Sequence, residues 1–348
     1  MFNSYSLELA RAGRIVAETL CSIKAGESVL ITLDTQSDYA PIEAIARSAE
    51  SLGANVLVAR HSTPNGYGSA AESRMPECLK HAIRNTDVWI ECNSQWLLYS
   101  QPWIDAISNG RTRYLVLGNL TKEQITRCIA NINIPAQRDF QYKLSEIIQN
   151  SKRCEIKTRT GTEISFDIDP SRPVLNETCE ANKPGAFFLI GQIGWAPVET
   201  TINGRIVFDG SFSGGGIADL GVLKSPIELE IIEGRIVNIK GNEEAKFVEN
   251  WLKSFNDPSM YQLAHISLGF NPGAKLTGVC VEDERVWGTS EWGIGFQGPM
   301  FQGGFGFAPT HADGTCLNSS IRLDGILVTE DGQIVHPELR SLATKLGK

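Results

Sequence analysis

The chain has 348 residues, of which 42% are hydrophobic and 21% are charged, so it is long enough for two domains with substantial apolar cores. Its formal net charge is −8 and it has no run of lysine or arginine, which argues against nucleic acid as a partner because phosphate binding needs a basic surface. No apolar stretch approaches the roughly 20 residues of a membrane span, and the N-terminus has the pattern of an amphipathic helix rather than a signal peptide. We therefore expect a cytoplasmic protein that does not enter a membrane.

The first part of the chain alternates between helical and strand patterns. Strands are predicted at 28–34, 87–93 and 112–119, with a further strand in "ANVLVAR". The helical stretch "APIEAIARSAESLG" ends at Gly53, a residue type favoured just after a helix. This alternation is typical of a doubly wound parallel α/β sheet. No G-x-G-x-x-G motif follows the first strand, so a dinucleotide site is not supported.

Glycine becomes frequent and the strands become short from residue 152 onward. Segments 200–209, 229–239 and 326–335 place Asn-Gly, Glu-Gly or Asp-Gly between apolar residues, a pattern that predicts β-hairpins. A helix is predicted at 242–255. The sequence thus predicts an α/β domain over 1–151 and a β-rich, mostly antiparallel domain with one packed helix over 152–348.

A candidate metal site begins with "FAPTHADGT", which contains His311 and Asp313. In an extended segment, residues i and i+2 point to the same side, so the imidazole and the carboxylate would face one region. His265 is flanked by apolar residues and should point into the interior or a cleft, where a lone histidine is usually only a hydrogen-bonded core residue. Here it would complete a set of two histidines and one carboxylate, which leaves open positions for substrate and O₂ and suits non-haem Fe(II).

Other residues near this set have several possible roles. Glu291, in "GTSEWGIG", can ligate a metal, orient a ligand or act as a base. Gln192 is a neutral amide in the otherwise apolar run "GQIGWAP". The charged run "EDER" at 282–285 is typical of a solvated turn. Trp195 and Trp292 can line a pocket, although most tryptophans are core residues.

The stretch "SLGFNPGAKLTGVCVEDERVWGTSEWGIG", followed by "APTHADG", resembles the C-terminal domain of aminopeptidase T-type metallopeptidases. The resemblance implies a site that holds two metals through two glutamates, two histidines and an aspartate. His311 and Asp313 keep the type of the family's ligands. Gln192 and His265 stand where the family has glutamates, and Glu291 stands where it has a histidine. These differences weaken the case for a second metal ion in this chain.

Within the same superfamily, "FNDPSMYQLAHISLGFNPGAK" is similar to a segment of the 2,5-dihydroxypyridine 5,6-dioxygenases. Those enzymes bind Fe(II) through a histidine in this segment and a later H-x-D, which implies His265, His311 and Asp313 as ligands. Tyr99, in "WLLYSQ", stands where that family has its acid/base histidine. Asn182 stands where it has a glutamate in the substrate-recognising stretch.

The resemblance implies an Fe(II)-dependent ring-cleaving dioxygenase that acts on a small hydroxylated aromatic or N-heteroaromatic compound. Tyr99 and Glu291 would handle protons. The residues expected to contact the substrate are Trp195, Trp292, Gln192 and Asn182. Besides the substrate and O₂, we expect a second copy of the chain as partner, because both resembling groups form homo-oligomers.

Two other classes of function remain open at the level of the sequence. A metallohydrolase of aminopeptidase or amidase type would use Zn, Mn or Co and a metal-activated water, with Glu291 as the base. A binding protein could keep the fold without the chemistry, since fold alone does not decide function. Dependence on O₂ separates the first alternative from a dioxygenase.

Overall fold

The structure is a computed structural model that describes residues 5–348. The chain divides into two compact units. The first comprises the described residues up to Ile132 together with Glu177–Ile190, and the second comprises Asn133–Asn176 and Gly191–Lys348.

The helices are, in chain order, α1 Ser6–Arg14, α2 Tyr39–Ser51, α3 Ser69–Glu72, α4 Glu77–Arg84, α5 Gln101–Ser108, α6 Lys122–Ile125, α7 Ile134–Gln149, α8 Glu243–Ser254, α9 Cys280–Asp283 and α10 Pro337–Lys345. Ile15–Leu20 and Thr126–Ala130 continue α1 and α6 as π-helical turns, and short 3₁₀ turns occur at Glu199–Thr201, Pro258–Tyr261 and Pro299–Phe301. Within residues 5–348, no helix combines the length and the apolar character needed to cross a bilayer.

The strands are, in chain order, β1 Ser28–Asp34, β2 Asn55–His61, β3 Val88–Glu91, β4 Arg113–Val116, β5 Arg153–Lys157, β6 Glu163–Asp167, β7 Leu175–Glu177, β8 Gly185–Phe188, β9 Gln192–Trp195, β10 Asn203–Phe208, β11 Ser211–Ser213, β12 Gly221–Val222, β13 Ile227–Ile232, β14 Arg235–Gly241, β15 Leu263–Gly269, β16 Thr289–Gly295, β17 His311–Cys316, β18 Ser320–Leu323, β19 Ile326–Glu330 and β20 Gln333–Ile334.

The first unit contains a five-stranded sheet in the order β2-β1-β3-β4-β8. All of its pairings are parallel. β3 and β4 are buried along their whole length, as is usual for parallel strands covered on both faces. The predicted parallel α/β architecture of this part of the chain is confirmed.

The second unit contains two sheets. One has eight strands in the order β14-β13-β10-β6-β5-β18-β19-β20, and the other has seven in the order β12-β11-β17-β16-β15-β9-β7. The apolar faces of both sheets contribute to one buried core, in which Phe166 on β6 contacts Trp292 on β16 at a ring-centroid distance of 5.5 Å. The predicted helix at 242–255 is α8, which packs on β13 and β14. The predicted β-rich architecture is therefore confirmed.

Two of the three predicted hairpins are present. The Glu-Gly turn joins β13 to β14, and the Asp-Gly turn joins β19 to β20. The prediction for 200–209 was wrong, because β10 runs straight through Asn203 and Gly204 and pairs with both β6 and β13. A Cβ atom on Gly204 would lie 2.3 Å from the carbonyl oxygen of Glu163, so this glycine permits a close approach between strands rather than a turn.

The two units differ from the predicted boundary at residue 151 in two segments. Phe140, Leu144 and Ile148 place one face of α7 in the core of the second unit, where Phe140 also contacts Trp287 at a ring-centroid distance of 5.2 Å. β8 instead extends the parallel sheet of the first unit by pairing with β4. The predicted boundary assigned each of these two segments to the other unit, because it followed their order along the chain.

Candidate metal centre

Three adjacent strands of the seven-stranded sheet bring polar side chains to one face. In the register of β15, β16 and β17, Asp313 lies opposite Gly293, which in turn lies opposite His265. Residues directly opposite each other share a face of the sheet, and so do residues i and i+2 of one strand. His265, His311 and Asp313 therefore lie on the same face.

A β-bulge in β15 gives His265 this orientation. Leu263 pairs with Ile294 on the apolar face, and His265 then pairs with Gly293, so Ala264 is an extra residue in the register. Without it, the two-residue period would put His265 on the same face as Leu263, in the core. The bulge turns the imidazole to the polar face, as bulges near functional sites commonly do.

The side chains of His265, His311 and Asp313 offer ligand atoms that all lie within 4.8 Å of one another. Asp313 Oδ1 is 2.9 Å from Nε2 of His311 and 3.9 Å from Nε2 of His265. The two imidazole rings are stacked at a centroid distance of 5.2 Å, with 9° between their planes. Two imidazoles and a carboxylate in this arrangement can hold a metal ion.

Gly293 lies between the two imidazoles. A Cβ atom at this position would lie 2.3 Å from Nδ1 of His265 and 2.8 Å from Cε1 of His311. Contacts this short cannot be accommodated without moving one of the rings. The absence of a side chain on the middle strand is therefore what allows the two histidines to approach each other.

The charges of these side chains are set by burial and by their mutual contacts. Nδ1 of His311 donates to the carbonyl oxygen of Phe296 at 2.7 Å, which fixes the ring and leaves Nε2 facing Asp313. Burial and the neighbouring charge of His311 lower the pKa of His265 to about 3, so this ring is neutral. Burial acts to raise the pKa of Asp313, but the imidazole of His311 outweighs it and lowers that pKa to about 2.

Glu291 is fully buried beside this group but is not part of it. Its Oε2 is 3.3 Å from Nε2 of His265 and accepts a hydrogen bond from Nε2 of Gln192 at 3.4 Å. Its Oε1 has no hydrogen-bond partner among the described residues. Burial, followed by the negative charges of Asp313 and Glu284, raises the pKa of Glu291 well above its usual value. This carboxyl group can therefore carry a proton at neutral pH.

A second group that can hold a metal ion was missed from the sequence. It consists of Cys280, Glu284 and Asp313, so it shares its aspartate with the first group. Cys280 donates from Sγ to Oε1 of Glu284 at 2.8 Å, and Arg285 donates from Nη1 to Oε2 of the same carboxylate at 2.9 Å. The run "EDER" is thus not a solvated turn, because Glu282, Asp283 and Arg285 are buried. Its position between the strands that carry His265 and Glu291 was the available signal.

Phe301 was also missed. Its ring stacks on the imidazole of His265 at a centroid distance of 4.6 Å, with 11° between the planes. It lies in the glycine-rich segment "FQGPMFQGGFGF", which joins β16 to β17. The position of this segment, between the strands that carry Glu291 and His311, is the feature from which its proximity to the site could have been predicted.

The structure corrects the expected pocket-lining role of Trp195 and Trp292. Both pair with Ile266, which places them on the apolar face of the sheet, opposite to His265 and Asp313. Both are also members of the buried core. The register of β9 and β16 against β15 determines the face on which the two indoles lie, because neighbouring residues of a strand point to opposite faces.

The two remaining candidates belong to the first unit. Tyr99 is 40% exposed, contacts Trp103 edge-to-face at 5.3 Å, and has a φ of 70°, which is unusual for a residue other than glycine. Asn182 is exposed and its backbone N–H donates to the carbonyl oxygen of Glu180 at 2.8 Å.

Comparison with known proteins gives consistent matches over nearly the whole chain. The chain is 26% identical to 2,5-dihydroxypyridine 5,6-dioxygenase of Pseudomonas putida, over 92% of this chain and 94% of the relative. The structure of 2,5-dihydroxypyridine dioxygenase from Pseudomonas putida KT2440 superimposes with a TM-score of 0.78 and 20% identity, covering 97% of this chain and 99% of the other. Wild-type AmpT from Thermus thermophilus has a TM-score of 0.70 and 12% identity, covering 96% and 100%. Both structural likenesses show a shared fold.

A family model decides the assignment. The model described as 2,5-dihydroxypyridine 5,6-dioxygenase matches residues 16–336, which include every residue considered for the site. This match agrees with the resemblance noted in the segment around His265, and it confirms the expected class of ring-cleaving dioxygenase over the hydrolase. The chain belongs to the 2,5-dihydroxypyridine 5,6-dioxygenase family.

Proposed function

We propose that this protein is a non-haem Fe(II)-dependent dioxygenase that opens the ring of a small hydroxylated aromatic or N-heteroaromatic compound similar to 2,5-dihydroxypyridine. The observation that carries the proposal is the convergence of His265, His311 and Asp313 on one face of a sheet, in a chain of this family. A set of two histidines and one carboxylate is typical of Fe(II) oxygenases, since it leaves positions for substrate and O₂.

The residues present fit a metal ion in this position. The hydrogen bond from His311 Nδ1 to Phe296 presents Nε2 toward Asp313, and an outer contact of this kind usually orients a metal-ligating histidine. The low pKa values of His265 and Asp313 keep both in the deprotonated form that ligation requires. When bound, Fe(II) would supply the redox chemistry that lets O₂ react with an electron-rich ring. Zn, Mn or Co would fit the same donors without that redox role.

Glu291 and Tyr99 are the residues that we propose for proton transfer. The buried carboxyl of Glu291, with its raised pKa, would hold a proton and donate it as a general acid. The phenol of Tyr99 can donate a proton near neutral pH but is a poor base, because an unperturbed tyrosine has a pKa of about 10. Both groups would therefore act as acids toward an oxygen atom that gains negative charge.

Gln192 and Asn182 remain the proposed polar contacts to the substrate. The amide of Gln192 is buried and already donates to Glu291, so its position is fixed by that contact. Hydrogen bonds to the substituents of a ring would add specificity to the apolar contact of an aromatic substrate. Trp195 and Trp292 are excluded from this set because they face the core.

Oxygen uptake with 2,5-dihydroxypyridine tests the proposal. Protein loaded with Fe(II) should consume O₂ in proportion to the substrate that it cleaves, and should do nothing under anaerobic conditions. His265→Ala should abolish both uptake and cleavage. His81→Ala is the matched control, since His81 is exposed on α4 of the first unit, and it should behave as the wild type. Turnover without O₂, or full activity of His265→Ala, would contradict the proposal.

A further inference from the structure

The segment between β16 and β17, residues 296–310, forms a closed loop that we call the site loop. Its ends are joined by a hydrogen bond from Phe296 N to Thr310 O at 2.9 Å, and its arms by one from Gln297 N to Gly306 O at 3.0 Å. The base of the loop is therefore closed by hydrogen bonds of its own backbone.

The site loop contacts both histidines of the candidate metal centre. At its base, the carbonyl oxygen of Phe296 accepts from Nδ1 of His311 at 2.7 Å. Farther along, the ring of Phe301 stacks on His265 at 4.6 Å. A displacement of this one loop would thus change the orientation of both imidazoles.

Glu199, from the 3₁₀ turn after β9, anchors the site loop from outside it. Its Oε1 accepts from Nε2 of Gln297 at 3.0 Å and from the backbone N–H of Gly304 at 2.6 Å. Arg172 donates to the same oxygen from Nη1 at 3.0 Å. Nε2 of Gln297 also donates to the carbonyl oxygen of Ala264 at 2.6 Å, which connects the anchor to the bulge that orients His265.

We propose that Glu199 is a positioning residue of the site: by fixing the site loop, it sets the orientation of the imidazoles of His265 and His311. The inference deepens the proposed function, since it matters for catalysis only if these histidines are the ligands. Glu199 touches neither histidine, so its effect passes through Phe296 and Phe301 of the site loop and through the contact of Gln297 with Ala264.

The burial and the hydrogen bonds of Glu199 favour a rigid contact between this residue and the site loop. The residue is only 4% exposed, whereas the side chain of Arg172, its partner in an ion pair, is 16% exposed. Burial acts to raise the pKa of Glu199, but the hydrogen bonds from Gln297, Gly304 and Arg172 hold it below its usual value. A buried charge with several donors is costly to disturb, because each donor left without a partner carries its own penalty.

The orientation of the histidines can be measured directly by NMR on the full-length chain labelled with ¹⁵N in its histidine side chains. The chain has five histidines. In Glu199→Gln, the side-chain signals of His265 and His311 should move while those of His61, His81 and His336 stay in place.

Glu244→Gln is the matched control. Glu244 is a carboxylate in the same unit that likewise anchors a loop, by accepting from Lys224 N and Ser225 N, but it has no hydrogen bond to the site loop. None of the five histidine signals should move in this variant. If Glu199→Gln changed the spectrum no more than Glu244→Gln does, the inference would be wrong.

A second measurement uses Co(II) as the probe. Glu199→Gln should lower the affinity for Co(II) about tenfold, as loss of outer contacts to metal ligands commonly does. Phe301→Leu, which keeps the anchor but removes the stacked ring, should act in the same direction. The double variant should be non-additive, whereas Glu244→Gln and Phe301→Leu should add. Additive effects of Glu199→Gln and Phe301→Leu would overturn the inference.

The two proposals fail separately. Movement of the His265 and His311 signals in a protein that cleaves no ring would support the positioning role and remove the proposed function. Ring cleavage in a protein whose histidine signals do not change in Glu199→Gln would support the proposed function and exclude the positioning role of Glu199.

Discussion

The imidazoles of His265 and His311 lie parallel at a centroid distance of 5.2 Å, although they stand on strands that are separated by a third strand. Three local features produce this relationship: the extra residue Ala264 in β15, the absent side chain of Gly293 in β16, and the carbonyl of Phe296 that holds His311. Of these features, Gly293 can be altered by a single substitution.

Gly293→Ala should weaken metal binding without unfolding the protein. The added Cβ would lie 2.3 Å from the ring of His265, so at least one imidazole must move. We expect affinity for Co(II) to fall about 10-fold to 100-fold, the range found when metal ligands lose their orientation. A titration of the metal-free protein with Co(II), followed by absorption, measures the change.

The matched control for this variant is Gly306→Ala. A Cβ atom at Gly306 meets no heavy atom within 4 Å, and the backbone there is not in the left-handed region that favours glycine. Its affinity for Co(II) should equal that of the wild type. Equal affinity in Gly293→Ala as well would show that the spacing of the two rings does not matter for binding.

Trp195→Ala should mainly lower stability and Gln192→Ala should mainly raise KM, because the two residues lie on opposite faces of β9. Loss of the core indole should lower the free energy of unfolding by about 3–5 kcal/mol and leave KM nearly unchanged in the protein that remains folded. Loss of the Gln192 amide should raise KM with a smaller effect on stability. Urea unfolding and steady-state kinetics on both variants check this, and a large rise of KM in Trp195→Ala would restore the pocket-lining role.

Tyr99→Phe should lower turnover while metal content and stability stay the same. The substitution removes only the hydroxyl group and keeps the ring that contacts Trp103. If the phenol donates a proton in the slow step, kcat should fall about 10²-fold or more. Single-turnover kinetics on the Fe(II)-loaded variant measure this step, and an unchanged rate would rule out Tyr99 as the acid.

Glu91 should contribute stability that is lost as the pH rises from about 4.3 to about 7. Burial raises the pKa of this residue to about 7, although Leu97 N and the hydroxyl of Tyr114 both donate to its carboxylate. In the unfolded chain its pKa is about 4.3, so between these two values the folded state binds more protons than the unfolded state. A rise in pH over this range therefore destabilises the folded state.

Glu91→Gln should remove this contribution, which is roughly 4 kcal/mol for a difference of about 2.7 pKa units at 1.36 kcal/mol for each unit. Glu77→Gln, on the exposed surface of α4, should show the same pH dependence as the wild type over this range. Urea unfolding at a series of pH values between 4 and 8 gives the slope for each protein. A slope that is the same in Glu91→Gln and the wild type would contradict the assignment.

Much of the fold could be predicted because its signals are local. The buried run of β1 and the helix that ends before Gly53 appear as expected, and the i, i+2 relation of His311 and Asp313 follows from extended backbone. The spatial grouping of His265 with them could be proposed only from its apolar surroundings and from family resemblance.

The features that were missed depend on register and on contacts between distant segments. The bulge at Ala264 is defined by the pairing of β15 with β16, and no local sequence pattern predicts it. The faces of Trp195 and Trp292 follow from the same register. Glu199 reaches the site loop from another part of the chain, so its contact with Gly304 has no local signature in the sequence.

Metal content per chain, measured on protein purified anaerobically without chelators, tests the central claim most directly. We predict about one iron per chain in the wild type, as expected for a set of two histidines and one carboxylate. Iron should be lost in His265→Ala and in His311→Ala and retained in His81→Ala. Full iron content in both His265→Ala and His311→Ala, or no metal in the wild type after loading with Fe(II), would contradict the account.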